Sequence, residues 1–346
     1  EAEFLRIFCD EVAIPGTVFV GFNTVRFDDE FMRFVQYRNF YDPYVWQWKD
    51  GRGRWDILDV VRMTRALRPD GIQWPVVDGK PGNRLEMLTK ANAIPHEGAH
   101  DALADVTATI AVAKLIYTNQ PKLFSWLLNM RDKSQVKNLV EANEPFVYSS
   151  GKYANEFQKT SVVVRLAEHP KKQGALVYDL RHDPTPFLAM SAAELAERWR
   201  WTREPDAPAR LPVKTLQFNR CPAIAPLSVL DAASQERIGL DLATVSAHHK
   251  VLRDNPSFTQ NVAKALALLD EQQAQQQRAT ADVDTQLYAG FYDQHDSNLL
   301  AVVRAASPDE LTPELGESFH DQRLKALFDR YKARNYPASL SDKERA

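Results

Sequence analysis

Two aspartates and one histidine in this sequence have the types and spacing of a metal-dependent hydrolytic site. Asp105 lies in a segment whose apolar periodicity predicts a helix over 101–117. It shares one stripe of that helix with Ala108, Thr109 and Val112. A carboxylate in such a position costs several kcal/mol unless it is paired, and a divalent cation is one of the few partners that keeps it ionised. An exposed Asp105, or one paired with a Lys or Arg, stays open as an alternative.

Asp28 lies where a predicted strand gives way to a predicted helix. The run from Thr17 to Phe22 is β-branched and aromatic, which predicts a buried strand. Apolar residues at helical spacing follow, with Asp28 in the first turn. Active-site carboxylates often occupy the ends of strands, but acidic residues in a first turn also stabilise the helix dipole. Both interpretations of Asp28 stay open at this point.

His100 precedes Asp105 by five positions at the start of the predicted helix. An imidazole with an ordinary pKa near 6.5 is suited to removing a proton from an attacking water at neutral pH. A histidine at a helix start without any catalytic role is the alternative.

Composition limits the class of protein that carries these residues. The 346 residues are 44% hydrophobic and 26% charged, which is typical of globular proteins and excludes collagen-like, disordered and disulfide-rich classes. The length predicts two or three domains. No apolar run approaches the roughly 20 residues of a membrane span. Cys9 and Cys221 favour a reducing compartment, so we expect a cytoplasmic protein. A net charge of -3 means that any nucleic-acid site must come from local basic clusters.

The element pattern changes along the chain. One strand followed by several helices over residues 1–119 indicates an α/β unit whose other strands are weakly marked or upstream. Four further strands are predicted, with an inserted helix that begins at the capping box of Ser191. Their ranges are 146–149, 161–166, 175–179 and 213–218. Helices follow to Asp270, a glutamine-rich stretch over 271–281 is expected to be a helix end or linker, and residues 284–346 are again helical.

The motifs amount to a family resemblance. Gly21-x-Asn23-x-x-x-Phe27-Asp28, followed about 70 residues later by Ala-His100-x-Ala-x-x-Asp105, resembles the second and third motifs of DEDD-type 3′-to-5′ exonucleases of the His-containing subclass. The segments 37–44, 66–71 and 331–337 further resemble the bacterial exonuclease I family, nearly from end to end.

This resemblance implies a fold, an activity and a cofactor. The expected fold is α/β: a partial ribonuclease H-like exonuclease domain (1–119), an SH3-like β-barrel domain with added helices (120–275) and a C-terminal helical domain (276–346). The expected activity is hydrolysis of single-stranded DNA from the 3′ end, releasing 5′-mononucleotides, with two Mg²⁺ ions, or Mn²⁺ as an alternative. Asp28 and Asp105 would be metal ligands and His100 the general base. A ribonuclease of the same superfamily and a non-catalytic single-strand-binding adaptor are the rival functions.

One departure from the family pattern affects activity. The family's first motif, an Asp-x-Glu that supplies two metal ligands, should precede Gly21, and no such motif is present there. The missing motif and the absence of an initial Met together predict a chain that is truncated at its N-terminus and also clipped at its C-terminus. We expect this chain to be catalytically inert.

Contacts with DNA and with a protein partner are also expected. Aromatic and basic side chains alternate over residues 33–54, a combination that suits single strands, although most of these rings should be core. The resemblance implies binding of the acidic, apolar C-terminal tail of the single-stranded-DNA-binding protein, with Arg68 and Trp126 as candidates, and a monomer that binds no membrane. The candidate DNA contacts are Asn23, Arg26, Tyr37, Arg38 and Tyr44.

Overall fold

The computed structural model describes residues 1–98, 101–200, 208–276 and 282–340. The chain divides into two compact units. The first unit combines Glu1–Phe19, Thr24–Arg54 and Arg278–Ala346, and the second combines Val20–Asn23 with Trp55–Gln277. The first unit therefore joins segments that are far apart in sequence.

Most of the predicted elements are present, with boundaries shifted by one or two residues. The α-helices among the described residues are α1 (Ala2–Ile7), α2 (Asp28–Tyr37), α3 (Leu58–Leu67), α4 (Leu85–Ala91), α5 (Ala102–Asn119), α6 (Pro121–Asn129), α7 (Lys133–Glu141), α8 (Ala192–Trp199), α9 (Ala232–Ile238), α10 (Leu242–Asp254), α11 (Pro256–Gln276), α12 (Gln294–Ala305), α13 (Pro313–Glu317) and α14 (Gln322–Asn335). The strands are β1 (Val18–Gly21), β2 (Gly53–Asp56), β3 (Val76–Val77), β4 (Lys80–Pro81), β5 (Phe146–Ser149), β6 (Thr160–Glu168), β7 (Gly174–Asp179), β8 (Val213–Gln217) and β9 (Ala223–Pro226).

Strands β1 and β2 form a two-stranded sheet. The N–H of Gly53 donates to the Thr17 carbonyl and the N–H of Ile57 donates to the Gly21 carbonyl, both at 2.9 Å. Both strands advance by four residues between these bonds, so the pair is parallel. This pairing brings the end of β2 beside the turn that follows β1.

The second unit contains a five-stranded antiparallel sheet in the order β8-β7-β6-β5-β9. Its registers place Phe146 opposite Val163 and Pro226, and Val177 opposite Lys214. One face packs on α7, which contributes Val136 and Val140 to the same buried cluster. The four predicted strands are confirmed, and β9 is an addition. The capping box of Ser191 with Glu194 begins α8 as expected.

The core of the first unit forms around α14. Phe40 is completely buried and its ring packs against Phe319, Phe328 and Tyr331 at centroid distances of 5.3–6.4 Å. Most rings of the aromatic segment were expected to be core, and this holds only in part. Tyr37, Phe40 and Trp46 are buried, whereas Tyr41 and Tyr44 are half-buried and Trp48 is 64% exposed.

Helix α5 buries a different side from the one with its largest apolar residues. Ala108, Thr109, Val112 and Ile116 are buried. Four large apolar side chains on the remaining surface are at least half exposed: Leu103, Val106, Ile110 and Tyr117. The stripe of Ala108, Thr109 and Val112, to which the spacing in the sequence assigned Asp105, is therefore the buried side of the helix.

Helix α11 extends to Gln276, so the first glutamines of the 271–281 stretch belong to a helix end. The later residues of that stretch, together with His100, lie outside the described residues.

None of the described helices combines the length and the apolar character that crossing a membrane requires.

Candidate functional site

The turn after β1 carries the first candidate residues. Asn23 has a φ of +65°, a left-handed conformation that Asn tolerates better than most residues. Its N–H donates to Oδ1 of Asp56 at 2.8 Å, and the same oxygen accepts from the N–H of Leu58 at 3.0 Å. A single 3₁₀ turn, Thr24–Arg26, then leads into α2 at Asp28. Asp56, at the end of β2, therefore fixes the turn on which the Asn23 side chain lies.

The three consecutive acidic residues at the start of α2 have different environments. Asp29 is buried and forms an ion pair with Arg54, which is also buried. Glu30 forms an ion pair with Arg33 at 2.6 Å. Asp28 is exposed, and no described residue makes a hydrogen bond or ion pair with its carboxylate. Asp28 is therefore the one of the three whose oxygens are available to a cation.

Asp105 lies in the first turn of α5 and is bound by a histidine. Oδ1 of Asp105 is 2.8 Å from Nε2 of His96, whose side chain is only 5% exposed. A carboxylate only accepts hydrogen bonds, so Nε2 carries the proton. Nδ1 of His96 contacts the Thr89 hydroxyl at 3.2 Å, which holds the ring from its other side. The Asp105 side chain is 44% exposed, which lies between the buried position and the exposed alternative that the sequence left open.

Sequence reasoning missed His96. It lies in the connection between α4 and α5, where no periodicity marks it. The available signal was its position nine residues before Asp105, within a loop short enough to fold back onto the first turn of the helix.

The structure places the two candidate metal ligands in different units. Asp28 belongs to the first unit and Asp105 to the second. His100 lies outside the described residues. The convergence of these three side chains therefore stays a prediction.

The candidate DNA contacts are not equally accessible. Asn23 and Arg26 are exposed. Arg38 pairs with Glu1, with Nε 2.9 Å from Oε2, and the Tyr44 ring is half-buried below the Arg33 guanidinium at 5.5 Å. Tyr37 is 2% exposed and donates its hydroxyl to the Val283 carbonyl at 3.1 Å.

Burial raises the pKa of Tyr37 to about 12, so the phenol stays neutral. Because its ring lies in the core of the first unit, it has no free face for stacking on a base. The prediction that Tyr37 contacts DNA is therefore wrong, and the reason is that the same aromatic residue type serves both cores and DNA surfaces.

Arg68 and Trp126 line one cavity in the second unit. Its volume is about 560 Å³, and its lining is mainly apolar, with basic side chains at Arg68 and Lys122. The indole N–H of Trp126 donates to the Ile224 carbonyl at 2.9 Å, which fixes the ring.

The guanidinium of Arg68 is held by three oxygens, of which the Leu67 carbonyl accepts from Nη1 at 2.7 Å. Nη2 donates to the Val229 carbonyl at 2.8 Å, and Nη1 lies 3.1 Å from Oδ2 of Asp231. The backbone N–H of Ser234 holds the pKa of the Asp231 carboxyl below its usual value, so that carboxyl is ionised at neutral pH. A preoriented arginine beside an apolar cavity can bind a carboxylate whose neighbouring groups are apolar.

Three family models of exonucleases match successive parts of this chain. Residues 8–113 match an exonuclease family model, residues 131–267 the exonuclease I SH3-like domain and residues 281–346 the exonuclease I C-terminal domain. The exodeoxyribonuclease I of Escherichia coli K12 is 40% identical over 346 residues, covering 98% of this chain and 71% of that protein.

Solved structures show the same relationship. The zinc-bound form of an E. coli exonuclease I complex with single-stranded DNA superimposes with a TM-score of 0.91 at 38% identity, covering 99% of this chain and 73% of that one. A structure of SSB/exonuclease I in complex with the inhibitor CFAM has a TM-score of 0.87 at 38% identity, covering 99% and 72% of the two chains. The chain thus combines a ribonuclease H-like exonuclease domain, an SH3-like domain and a C-terminal domain, and it belongs to the exonuclease I family of hydrolytic nucleases.

Proposed function

We propose that the protein acts on single-stranded DNA from the 3′ end and releases 5′-mononucleotides by two-metal-ion hydrolysis. The observation that carries this proposal is the availability of the Asp28 carboxylate at a family motif position, while its two acidic neighbours are neutralised by arginines. The exposed Asn23 and Arg26 on the same turn are candidates for holding the DNA backbone.

The family relationship implies a divalent metal, and the donor set fits one. Carboxylate oxygens are the ligands that Mg²⁺ and Mn²⁺ prefer. Asp28 and Asp105 would supply two of the four carboxylates. Bound ions would activate water and stabilise the leaving oxygen. His96 positions Asp105 through its 2.8 Å hydrogen bond, a contact typical of groups that orient metal ligands. His100, as general base, would accept the proton of the attacking water.

We further propose that the 346-residue chain by itself does not hydrolyse DNA, since residues 1–20 contain no Asp-x-Glu. The test incubates this chain with 5′-labelled single-stranded DNA and Mg²⁺ or Mn²⁺. We expect binding without cleavage, and cleavage by a longer chain that supplies Asp-x-Glu ahead of Gly21. Cleavage by the 346-residue chain would contradict the need for four carboxylates.

The same assay separates the rival functions. If the longer chain binds DNA but never cuts it, the protein is an adaptor. If it prefers single-stranded RNA of the same sequence, it is a ribonuclease.

The Arg68 cavity is the proposed site for the acidic, apolar C-terminal tail of the single-stranded-DNA-binding protein. Replacing Arg68 by Ala should weaken binding of a tail peptide by about 10–100-fold, the range expected from a hydrogen-bonded charge of 1.5–3 kcal/mol. Fluorescence anisotropy of a labelled peptide measures this change. Arg253→Ala removes an exposed arginine away from the cavity and should leave the affinity unchanged. Unchanged affinity in Arg68→Ala would remove Arg68 from the binding site.

Two remaining proposals rest on the family relationship and the cysteine content rather than on a contact in the structure. They are action as a monomer and a cytoplasmic location.

A further inference from the structure

A second cluster of metal-binding side chains lies in the first unit, at the N-terminal ends of α12 and α14. One ligand atom from each of His295, Asp296 and His320 lies within 4.8 Å of the others. The two imidazole rings stack with centroids 4.4 Å apart and planes 19° from parallel. Both histidines are exposed, whereas Asp296 is 1% exposed.

Each imidazole has one nitrogen that is already hydrogen-bonded to an oxygen. Nε2 of His295 donates to the Ser318 carbonyl at 3.0 Å. Nδ1 of His320 donates to Oδ2 of Asp293 at 2.7 Å. In each neutral ring the other nitrogen therefore carries the lone pair that a metal needs. A histidine anchored by a carbonyl or carboxylate through its second nitrogen is typical of metal sites, because this contact fixes the tautomer and the ring orientation.

The Asp296 carboxylate is held rigidly between the two helices. Oδ1 accepts from the N–H of His320 and Oδ2 from the N–H of Asp321, both at 2.8 Å. No described Lys or Arg forms an ion pair with it. Each oxygen keeps a second lone pair, so a buried negative charge faces two imidazoles, and no described Lys or Arg balances it.

We propose that His295, Asp296 and His320 bind a Zn²⁺ ion that joins the first turn of α12 to the residue before the N-cap of α14. Two imidazole nitrogens and one carboxylate oxygen form a donor set that favours Zn²⁺ over Mg²⁺ or Ca²⁺, which prefer oxygen ligands. Donors at about 2.1 Å from a tetrahedral ion lie roughly 3.4 Å apart. The ligand atoms lie within 4.8 Å of one another, so small shifts of the two exposed histidine side chains that keep the bonds to Ser318 and Asp293 close the difference, while Asp296 stays in place.

Titration of the metal-free 346-residue chain with ZnCl₂, followed by calorimetry and thermal unfolding, tests this site. We expect one equivalent of Zn²⁺ and a Tm raised by several degrees at saturation. His295→Gln and His320→Gln should each lower the affinity for that Zn²⁺ ion by at least about 10-fold. Asp293→Asn should also weaken it, by about 10–100-fold, since Asn keeps the helix cap but removes the charge on His320.

Two controls assign the bound ion to this cluster. His182→Gln removes an exposed histidine in the second unit and should leave Zn²⁺ binding unchanged. The double variant Asp28→Asn/Asp105→Asn removes the proposed catalytic ligands and should still bind one equivalent of Zn²⁺. Excess Mg²⁺ should not displace this Zn²⁺ ion. The proposal is overturned if His295→Gln and His320→Gln bind Zn²⁺ like the unmodified chain, or if no saturable equivalent is found.

Discussion

Replacing Asp29 by Ala is expected to lower the free energy of unfolding by about 3–5 kcal/mol. The substitution removes the carboxylate from a buried ion pair with the Arg54 guanidinium, which is 7% exposed, and removing one partner of a buried pair has a cost of this size. Urea denaturation followed by circular dichroism measures the change.

Asp28→Ala is the matched control for this experiment. It removes the neighbouring carboxylate, which is exposed and has no described partner, so stability should change by no more than about 0.5 kcal/mol. Equal stability of the two variants would show that the pair between Asp29 and Arg54 contributes little.

Replacing Asp28 by Asn should lower the rate of DNA hydrolysis by about 100-fold or more in a chain that also supplies Asp-x-Glu. Asn keeps the size of the side chain and removes the charge that would hold a metal ion, and losses of this scale follow removal of positioned catalytic groups. Single-turnover cleavage of a 5′-labelled single strand measures the rate.

The control for catalysis is Asp10→Asn, another exposed aspartate of the first unit, which should retain full activity. If Asp28→Asn keeps more than a tenth of the rate, Asp28 is not a metal ligand. Together, the substitutions at positions 28 and 29 should separate catalysis from stability in two adjacent acidic residues.

The fold could be predicted where side-chain periodicity is strong. Helices α2, α3 and α5 and strands β5 to β8 follow from apolar spacing and from turn residues. Strands β2 and β9 could not, because each depends on pairing with a strand that is remote in sequence. Helix α6 was missed for a different reason. A proline in a sequence often marks the end of a helix, whereas Pro121 occupies the first turn of α6, where proline is well tolerated.

The candidate site was predicted from motifs, and its supporting contacts were not. The motif identifies Asp28 and Asp105, but pairing of Asp29 with Arg54, or of Asp105 with His96, requires knowledge of which segments meet. The same limit explains why the prediction for Tyr37 was wrong. Its hydroxyl bonds to Val283, which lies more than 240 positions later in the sequence. Composition and spacing indicate the chemistry that a side chain can perform, whereas tertiary contacts determine whether that side chain is accessible or already paired.

The outward apolar row of α5 has a practical consequence for handling the purified chain. Leu103 is 74% exposed and Val106 56% exposed on the same helix, so collisions between two molecules can remove this surface from water. Ammonium sulfate strengthens such attraction by exclusion from protein surfaces. Dilute samples in low-sulfate buffers therefore suit the calorimetric and kinetic measurements, and light scattering should accompany them.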